Sequence, residues 1–431
     1  MVGKASLLLI LGFSLIFLVL GNNFGRISVQ AYNNFSQYHD ETVATDIAES
    51  GANMAINTYF QNPTWNAGYS NLDFQGGKLN VTIVPDATQP TYRVITATGL
   101  FYQDTTVVRV TVRPASFSQF AYFSVNEGSN IRWITQDSVW GPFHTQDVLL
   151  VDGNPYFDQS VSTLGGIDTI SGGPVINGTY TQPVDIPMDS GGVSNVQTEA
   201  SNGGYTFTGH DTVYLNFVND SIQYKFAYNG PVTKVLGTQL APNGIIFANT
   251  ATVRVQGTVE GQYTVGASGG TETITTVHHT WSGTYTTTST VTVGGNIYLD
   301  NDIVYKTDPR TNPSSTDLLG LVADNNIVIT KNSYNNNDIN IDAALYCQNG
   351  GLTAEDYNTR PVSGAINLFG GVSQNKRGPV GTYSGSTIVH GFRKDYRYDN
   401  RLKNVSPPSF PQTNQFQIVA WYERNSMHRQ D

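Results

Sequence analysis

A short stretch in the first half of the chain has the residue types of a metal or catalytic site. "GPFHTQDVLLVDGNPYF", residues 141–157, holds His144 with Asp147 and Asp152, and Asp158 follows it. Imidazole and carboxylate groups are common zinc ligands and common acid–base groups. A metal would need two or three ligands, and neither HxH nor HExxH accompanies His144. The stretch instead predicts a turn, a strand at "DVLLVD", a second turn at "GNP" and then "YF", with His144 as a turn residue bonded to the backbone.

Three further polar segments have donor atoms that suit metal ions. His278 and His279 lie in the threonine-rich segment "TITTVHHTWSGTYTTTSTVTV", for which an inserted hairpin is favoured over metal binding. "DNDIVYKTD" at residues 300–308 and "NNNDINID" at residues 335–342 have oxygen donors that suit Ca²⁺. Neither contains an EF-hand or a nonapeptide calcium motif, so stacked turns of Asn and Asp are the prediction.

Carboxylate pairs are the groups that polysaccharide hydrolysis requires, at separations of about 5–10 Å. Asp300 and Asp302 alternate along one predicted strand, and Asp338 and Asp342 share a side if their turns align. No aspartate pair stands beside the Gly-His-Gly and Arg-x-Lys arrangement typical of pectin-cleaving hydrolases. We therefore predict no catalytic, cofactor-binding or metal-binding residue, no cofactor and no enzymatic activity.

A segment of mixed basic and aromatic residues lies near the end of the chain. "GFRKDYRYDNRLK", residues 391–403, has five basic and two acidic residues. Arginine and tyrosine in this mixture suit DNA or an acidic glycan. Such a mixture is more often a solvated, ion-paired surface, which is the prediction. The formal net charge of −10 argues against general nucleic-acid binding, because that needs a cationic surface.

The elements that position these residues are predicted to be mainly β. Of the 431 residues only 13% are charged, while Gly, Thr, Asn and Tyr are abundant. β-Branched and aromatic side chains suit a pleated surface, and Gly and Asn suit turns. The single cysteine, Cys347, excludes an intrachain disulfide framework and a multi-thiolate zinc site.

The N-terminal region predicts one long helix. Lys4 is followed by an uncharged apolar run over residues 5–20, which as a helix spans about 24 Å and crosses a membrane if Lys4 snorkels to the interface. Residues 1–21 are therefore a transmembrane anchor or a cleaved signal, and either places the remainder outside the cytoplasm. Residues 22–60 are predicted to extend the helix. Their small-residue stripe is expected to lie against the following domain or against neighbouring helices, and comprises Ala44, Ala48, Gly51, Ala52 and Ala55.

Two β regions are predicted to follow. Residues 61–115 predict a small antiparallel, pilin-like sheet with strands "LNVTIVP", "TYRVITATG" and "TTVVRVTVRP". Residues 116–431 predict a large right-handed parallel β-helix-like domain. Four segments that begin near Ile297, Leu321, Ala344 and Ile366 align at spacings of 24, 23 and 22 residues, which matches one coil of such a helix. The side chains predicted to point into its core are Ile297, Leu299, Leu321, Ala323, Leu345, Ile366 and Leu368.

Two families resemble parts of the chain. "GKASLLLILGFSLIFLVL" and "DIAESGANMAINTYF" resemble PilX-type minor pilins and related pilin-like surface proteins of bacteria. An uncharacterised family of exported, membrane-anchored bacterial β-proteins with such N-termini is similar at "FAYFS", "GPFHTQDVLLVDGNPYF", "DLLGLVADNNIVI" and "YDNRLKNVSPPSFP".

The resemblance implies a noncatalytic, type IV pilus-like structural or adhesion protein of the bacterial cell envelope. It implies an ectodomain that is periplasmic or extracellular and is anchored by the N-terminal helix. The implied partners are other pilin-like subunits or further copies of the chain, the inner membrane and a surface glycan, with no nucleic acid. A carbohydrate-active or glycan-binding β-helix protein is the alternative.

Overall fold

β-Strands predominate in the computed structural model, which describes residues 2–87, 92–182, 185–188, 191–280, 283–385 and 387–426. The helical elements in these ranges are α1 (Val2–Gln61), α2 (Gly192–Ser201), α3 (Gly237–Leu240), η1 (Phe117–Gln119), η2 (Tyr334–Asn336) and η3 (Asn400–Lys403). The strands are β1 (Tyr69–Phe74), β2 (Gly77–Pro85), β3 (Arg93–Phe101), β4 (Asp104–Ser116), β5 (Tyr122–Asn126), β6 (Trp133–Ile134), β7 (Ser138–Trp140), β8 (Phe143–Thr145), β9 (Leu149–Gly153), β10 (Tyr156–Phe157), β11 (Val161–Thr163), β12 (Ile167–Gly172), β13 (Val175–Ile176), β14 (Tyr180–Thr181), β15 (Tyr205–Phe207), β16 (Thr212–Asn219), β17 (Ser221–Lys225), β18 (Thr233–Leu236), β19 (Ile245–Ala248), β20 (Thr252–Val259), β21 (Gln262–Ala267), β22 (Gly269–Thr280), β23 (Gly283–Gly294), β24 (Ile297–Tyr305), β25 (Leu318–Ala323), β26 (Ile327–Ile329), β27 (Ile339–Cys347), β28 (Leu352–Ala354), β29 (Val362–Lys376), β30 (Gly381–Ser384), β31 (Thr387–Tyr398) and β32 (Gln412–Ser426).

The chain divides into two compact units, which are described separately. The first comprises residues 1–114 with 415–431, and the second comprises residues 115–414.

Helix α1 is the dominant element of the first unit. Its 60 residues span about 90 Å at the α-helical rise of ~1.5 Å per residue. It ends at Gln61, because Pro63 disfavours the helical conformation of the residue before it. The N-terminal part is long and apolar enough to cross a membrane, and its apolar side chains are exposed within the unit.

The C-terminal part of α1 packs on an antiparallel sheet. The sheet has the order β1-β2-β3-β4-β32, and the small antiparallel sheet that the sequence predicts is thereby confirmed. Strands β1 and β32 were not predicted, and Thr91, the first residue of one predicted strand, lies outside the described residues. The small-residue stripe of α1 is buried in this core, beside Leu79, Ile95 and Val108.

Two glycines allow the helix to approach the sheet closely. A Cβ atom on Gly99 would lie 2.2 Å from the backbone oxygen of Ala44, and one on Gly51 would lie 2.2 Å from Leu79 Cδ1. The stripe is therefore occupied by the sheet of its own chain. Of the two alternatives, packing against neighbouring helices through these residues is wrong, because the stripe has no free surface.

The strands of the second unit pair mostly in parallel, each with a strand from the next stretch of chain. Leu321 of β25 is opposite Leu345 of β27, and Leu345 is opposite Val372 of β29. Apolar side chains on the inner faces therefore stack on one another, because no single strand buries its inner face alone. The largest sheet is mixed, since β16–β17, β17–β18 and β30–β31 pair antiparallel.

The inward side chains are confirmed, but the predicted alignment is wrong. All seven residues predicted to face the core are buried. However, Ile297 pairs with Ile327 and not with Leu321, and Ile366 pairs with Ile339 and not with Ala344. The connections between strands differ in length, so a fixed period does not describe the pairing.

The first strands of the second unit, in chain order, are stacked next to its last strands. β5 pairs in parallel with β29, and β7 pairs in parallel with β31. β8 then pairs with β5, β11 with β8, and β14 with β11. The order of the stack therefore differs from the order of the chain, and residues 122–181 follow residues 205–398 in it.

Candidate functional site

A groove of about 570 Å³ lies on the outer face of the second unit. Over residues 212–217 of β16, 252–256 of β20 and 297–300 of β24 every second side chain is buried, so the intervening ones project outward. Tyr214, Arg254 and Tyr298 are cross-strand neighbours in this outward set. The Arg254 guanidinium carbon lies 5.8 Å from the Tyr214 ring centroid and 5.1 Å from that of Tyr298, which favours a cation–π stack.

Asp300 fixes the arginine in the floor of the groove. Arg254 donates to both carboxylate oxygens, with Nε 3.0 Å from Oδ2 and Nη2 2.6 Å from Oδ1. Thr330 Oγ1 donates to Oδ1 at 2.8 Å. Burial opposes the charged form of Arg254, but the hydrogen bonds and charge of Asp300 outweigh it and raise the arginine's pKa. A bidentate pair of this kind is geometrically rigid.

The walls of the groove are formed by two loops. One follows β17 and contributes Tyr228, and the other follows β26 and contributes Tyr334, the first residue of η2. These residues are 76% and 67% exposed, so both are largely open to solvent. Lys225 Nζ donates to the backbone oxygen of Tyr228 and lies 5.3 Å from the ring centroids of both Tyr214 and Tyr228. We call this site the tyrosine groove, lined chiefly by Tyr214, Tyr224, Tyr228, Tyr334, Lys225, Arg254 and Asp300.

A row of side-chain amides continues the floor. Asn216 is opposite Gln223 in one neighbouring strand and Gln256 in the other, and all three line the groove. Asn216 Nδ2 donates to Gln223 Oε1 at 2.9 Å. Asn332 donates to the backbone oxygen of Asp300 at 2.7 Å. Amides present donors and acceptors side by side, so the groove is equipped to bind a polyhydroxylated ligand.

The described lining of the groove does not contain the pair of carboxyl groups that glycosidic hydrolysis uses. Asp300 is the one carboxylate among the described residues that line it, and Arg254 holds both of its oxygens. Hydrolysis of a glycosidic bond uses two carboxyl groups. The geometry therefore supports binding.

The structure places His144 differently from the sequence-based prediction. His144 lies in strand β8 and is 1% exposed, so its assignment as a turn residue is wrong. Its ring stacks on Phe123 at a centroid distance of 5.2 Å, and Nδ1 lies 2.9 Å from Ser162 Oγ. Nε2 is buried with no hydrogen-bond partner among the described residues. Burial lowers the pKa of His144 to about 4, with a smaller opposing effect from Asp185.

The aspartates near His144 serve local structure. Asp147 accepts a hydrogen bond from the backbone of Glu127 at 3.0 Å. Asp152 accepts from Ser171 at 2.6 Å, and Asp158 accepts from the Tyr156 hydroxyl at 3.0 Å. The stretch is divided between strands β8, β9 and β10. Strand β9 (Leu149–Gly153) corresponds to the strand predicted at "DVLLVD".

The two predicted aspartate pairs are also not brought into a catalytic arrangement. Asp302 accepts from the Asn340 backbone at 2.9 Å, and Asp338 accepts from the Ala365 backbone at 2.7 Å. Asp342 accepts from the Tyr305 backbone at 3.0 Å, and burial raises the pKa of its carboxyl to about 6. Much of residues 300–308 and 335–342 is strand, in β24 and β27, so the prediction of stacked turns is wrong there.

Metal-binding groups do not assemble in the part of the chain that the structure describes. No cluster of three or more His, Cys, Asp or Glu side chains suited to a metal occurs there. His278 lies in the antiparallel hairpin β22–β23, as predicted, where Nε2 is 2.8 Å from Thr287 Oγ1. The side chain of His279, together with Trp281 and Ser282, lies outside the described residues.

The basic segment at residues 391–403 is ion-paired but only partly solvated. Arg397 pairs with Asp395 at 3.1 Å and Arg401 with Asp399 at 2.6 Å. Lys394, however, is buried and lies 2.6 Å from Asp137. The ion pairing agrees with the prediction of a solvated, ion-paired surface, but the solvation does not hold for Lys394, because β31 buries alternate side chains.

No sequence motif predicts the tyrosine groove. Its residues come from four separate stretches, around residues 214–232, 254–256, 300 and 330–334. The only local signal is the alternation in "TVYLNFVN" and "TVRVQGTV", which shows outward side chains without showing which strands become neighbours.

Comparisons with known proteins give limited similarity. No family model matches the chain, and no curated protein matches it. Among solved structures, the chain is similar to the crystal structure of the competence-associated pilin ComZ from Thermus thermophilus. That similarity has 12% sequence identity and a TM-score of 0.32, and covers 90% of this chain and 98% of that chain. A TM-score of this size is too low to establish a shared fold.

Proposed function

We propose that this chain is a noncatalytic, pilin-like structural and adhesion protein of the bacterial cell envelope, anchored by its N-terminal helix. One observation carries the proposal. Helix α1 is continuous, with an apolar N-terminal part long enough to span a membrane and a C-terminal part buried on an antiparallel sheet. Such a helix ties a folded unit directly to a bilayer.

The part of α1 between these regions supports association with other helices. Phe24, Ile27, Phe35 and Tyr38 are all exposed within the first unit and lie on one face by the helical period. A row of exposed apolar side chains on an extended helix is typical of a surface that a partner covers. We assign this face, which we call the aromatic helix face, to contact with copies of the chain or with other pilin-like subunits.

The second unit is the displayed ectodomain in this proposal. Its parallel strand pairing and stacked inner side chains support a parallel β-helix-like architecture, for which we propose the right-handed form. Asp300, Asp302, Asp338 and Asp342 all accept structural hydrogen bonds, and the tyrosine groove has a binding geometry, which supports a noncatalytic role. The alternative to this proposal is a β-helix protein that either binds glycans or acts on carbohydrates. The groove favours glycan binding over carbohydrate-active chemistry.

Membrane fractionation tests the anchoring. The full chain, expressed in a bacterium, is expected to remain in the membrane pellet after alkaline carbonate extraction and to be released by detergent. Mass spectrometry of the extracted protein should show that residues 5–20 are retained. Recovery of a soluble chain that lacks these residues would contradict the anchor and favour a cleaved signal.

A further inference from the structure

We propose that the tyrosine groove binds an acidic oligosaccharide through its ring faces, its amides and the ammonium group of Lys225. The proposal names a class of ligand for the adhesive role and rests on that part of the proposed function only. Membrane anchoring and helix association do not depend on it and are tested by other experiments.

The rings supply apolar surface beside a polar floor. Tyr228 and Tyr334 come from different segments of the chain and are the most exposed tyrosines of the groove. Exposed aromatic side chains bury a large area at a low entropic cost when a ligand covers them. The C–H faces of pyranose rings are apolar, so a sugar chain stacks on such rings while its hydroxyl groups remain free for hydrogen bonds.

The floor matches those hydroxyl groups. The side-chain amides of Asn216, Gln223 and Gln256 lie next to one another across three strands. Each amide has both a donor and an acceptor, which suits adjacent hydroxyl groups of one sugar ring. Ligand sites commonly combine apolar walls with a few fixed polar groups in this way.

The charges of the groove favour an anion with well-spaced charges. Arg254 is neutralised by Asp300, and Lys331 Nζ lies 2.8 Å from Asp356. In the described part of the chain, no carboxylate is within ion-pair distance of Lys225. One uncompensated cation suits one carboxylate of an acidic sugar. Single-stranded nucleic acid has a phosphate at every nucleotide and draws on a row of unpaired cations, whereas the described lining of this groove has one, Lys225.

Binding to defined oligosaccharides tests the inference. The full chain in detergent would be titrated with oligogalacturonate, oligomannuronate and a sialylated oligosaccharide, with cello-oligosaccharide as a neutral probe and oligothymidylate as a nucleic-acid probe. We expect at least one acidic oligosaccharide to bind, more tightly than the neutral one. Tyr228→Ala and Tyr334→Ala should each raise its Kd on the order of fivefold. Lys225→Gln should raise the Kd of the acidic oligosaccharide without changing the Kd of the neutral one.

Matched variants separate binding from folding. Tyr228→Phe keeps the ring face and should bind within about twofold of the unaltered chain. Tyr102→Ala removes a 79% exposed tyrosine in the other unit and should change neither binding nor the melting temperature. Because Tyr228 and Tyr334 are exposed, their alanine variants should also melt normally.

Two results would overturn the inference. The first is no binding by any acidic oligosaccharide, and the second is binding that Tyr228→Ala, Tyr334→Ala and Lys225→Gln all leave unchanged. Binding of oligothymidylate that these variants abolish, with no oligosaccharide bound, would assign the groove to nucleic acid instead. Each of these outcomes leaves the proposed anchoring and helix association intact.

Discussion

The guanidinium of Arg377 lies 2.6 Å from the carboxylate of Glu127, although the two residues are 250 positions apart in the chain. Both side chains are buried, and the arginine carbon lies 4.3 Å from the Trp133 ring centroid. Lys394 and Asp137 form a second buried pair nearby, at 2.6 Å. These pairs join the first strands of the second unit to its last strands, where the order of the stack departs from the order of the chain.

Removing one partner of the Glu127–Arg377 pair should strongly destabilise the second unit. Glu127→Gln leaves the Arg377 charge buried without its counter-ion, which typically costs about 3–5 kcal/mol. Thermal and urea unfolding of the full chain would measure the loss. The double variant Glu127→Gln/Arg377→Met should be less destabilised than Glu127→Gln, because no unpaired charge remains.

A surface ion pair provides the matched control for this change. Lys331 and Asp356 form a pair at 2.8 Å in which the side chains are 40% and 59% exposed. Asp356→Asn should therefore cost no more than about 1 kcal/mol. Equal losses from Glu127→Gln and Asp356→Asn would show that the buried pair has no special role in joining the strands.

His144 should make the second unit less stable in mild acid. Burial lowers its folded-state pKa to about 4, below its ordinary value of 6.5. Between pH 6.5 and pH 4 the imidazole of His144 is protonated in the unfolded chain but not in the folded chain. The contribution of neutral His144 to the free energy of unfolding is therefore complete above pH 6.5 and is lost as the pH falls toward 4. At pH 5 the loss should be about 2 kcal/mol.

The variant His144→Phe isolates this effect. Phenylalanine keeps the stack on Phe123 and removes the unpartnered Nε2, while Ser162 Oγ retains its hydrogen bond to the Phe143 backbone oxygen at 3.2 Å. We expect the variant to be at least as stable as the unaltered chain at pH 7, and clearly more stable at pH 5. An identical loss of stability on acidification in both proteins would assign the pH dependence to other groups.

Leu321 tests the inward face of the stacked strands. Its side chain is buried between β21 and β27. Leu321→Asp places an unpaired carboxylate in that core and should cost about 3–5 kcal/mol in unfolding free energy. Val362→Asp is the control, because Val362 is 52% exposed at the start of β29, a strand of the same sheet. A normal melting temperature for Leu321→Asp would mean that the strand faces are assigned incorrectly.

Gly99 tests the close approach of helix and sheet in the first unit. Gly99→Ala would press a Cβ atom against the Ala44 backbone oxygen, at 2.2 Å before relaxation. Overpacking of this kind typically costs about 1–3 kcal/mol, which limited proteolysis of the first unit would detect. Gly25→Ala is the control, because a Cβ on Gly25 meets nothing within 4 Å. Equal protease resistance of Gly99→Ala and Gly25→Ala would contradict the close packing.

Local patterns in the sequence predict the elements of this protein better than their pairing. The length of α1, the three antiparallel strands and the burial of residues such as Leu299 follow from hydropathy and alternation. The pairing of Ile297 with Ile327 does not, because it depends on the length of each connection. The join between β5 and β29 depends on contacts between residues far apart in the chain, which periodicity does not record.

The candidate site also depends on strand pairing, which local sequence patterns do not predict. Asp147 and Asp152 are close to His144 in the sequence, but in the structure each accepts a hydrogen bond from a different residue, and neither bonds to His144. Arg254 and Asp300 form the rigid centre of the tyrosine groove, yet 46 positions separate them. Parallel stacking brings them together, so only the pairing of β20 with β24 reveals the site.

Site-specific photocrosslinking in membranes tests the central claim of a pilin-like, helix-associated protein most directly. A photoreactive residue would replace Phe35 of the aromatic helix face, which is 69% exposed, or the fully buried Ala52 as the control. We expect crosslinked products from position 35 that contain a second copy of the chain or another pilin-like subunit, and none from position 52. A membrane-retained chain that gives no such product from position 35 would instead be a solitary anchored protein, and the proposed helix association would be wrong.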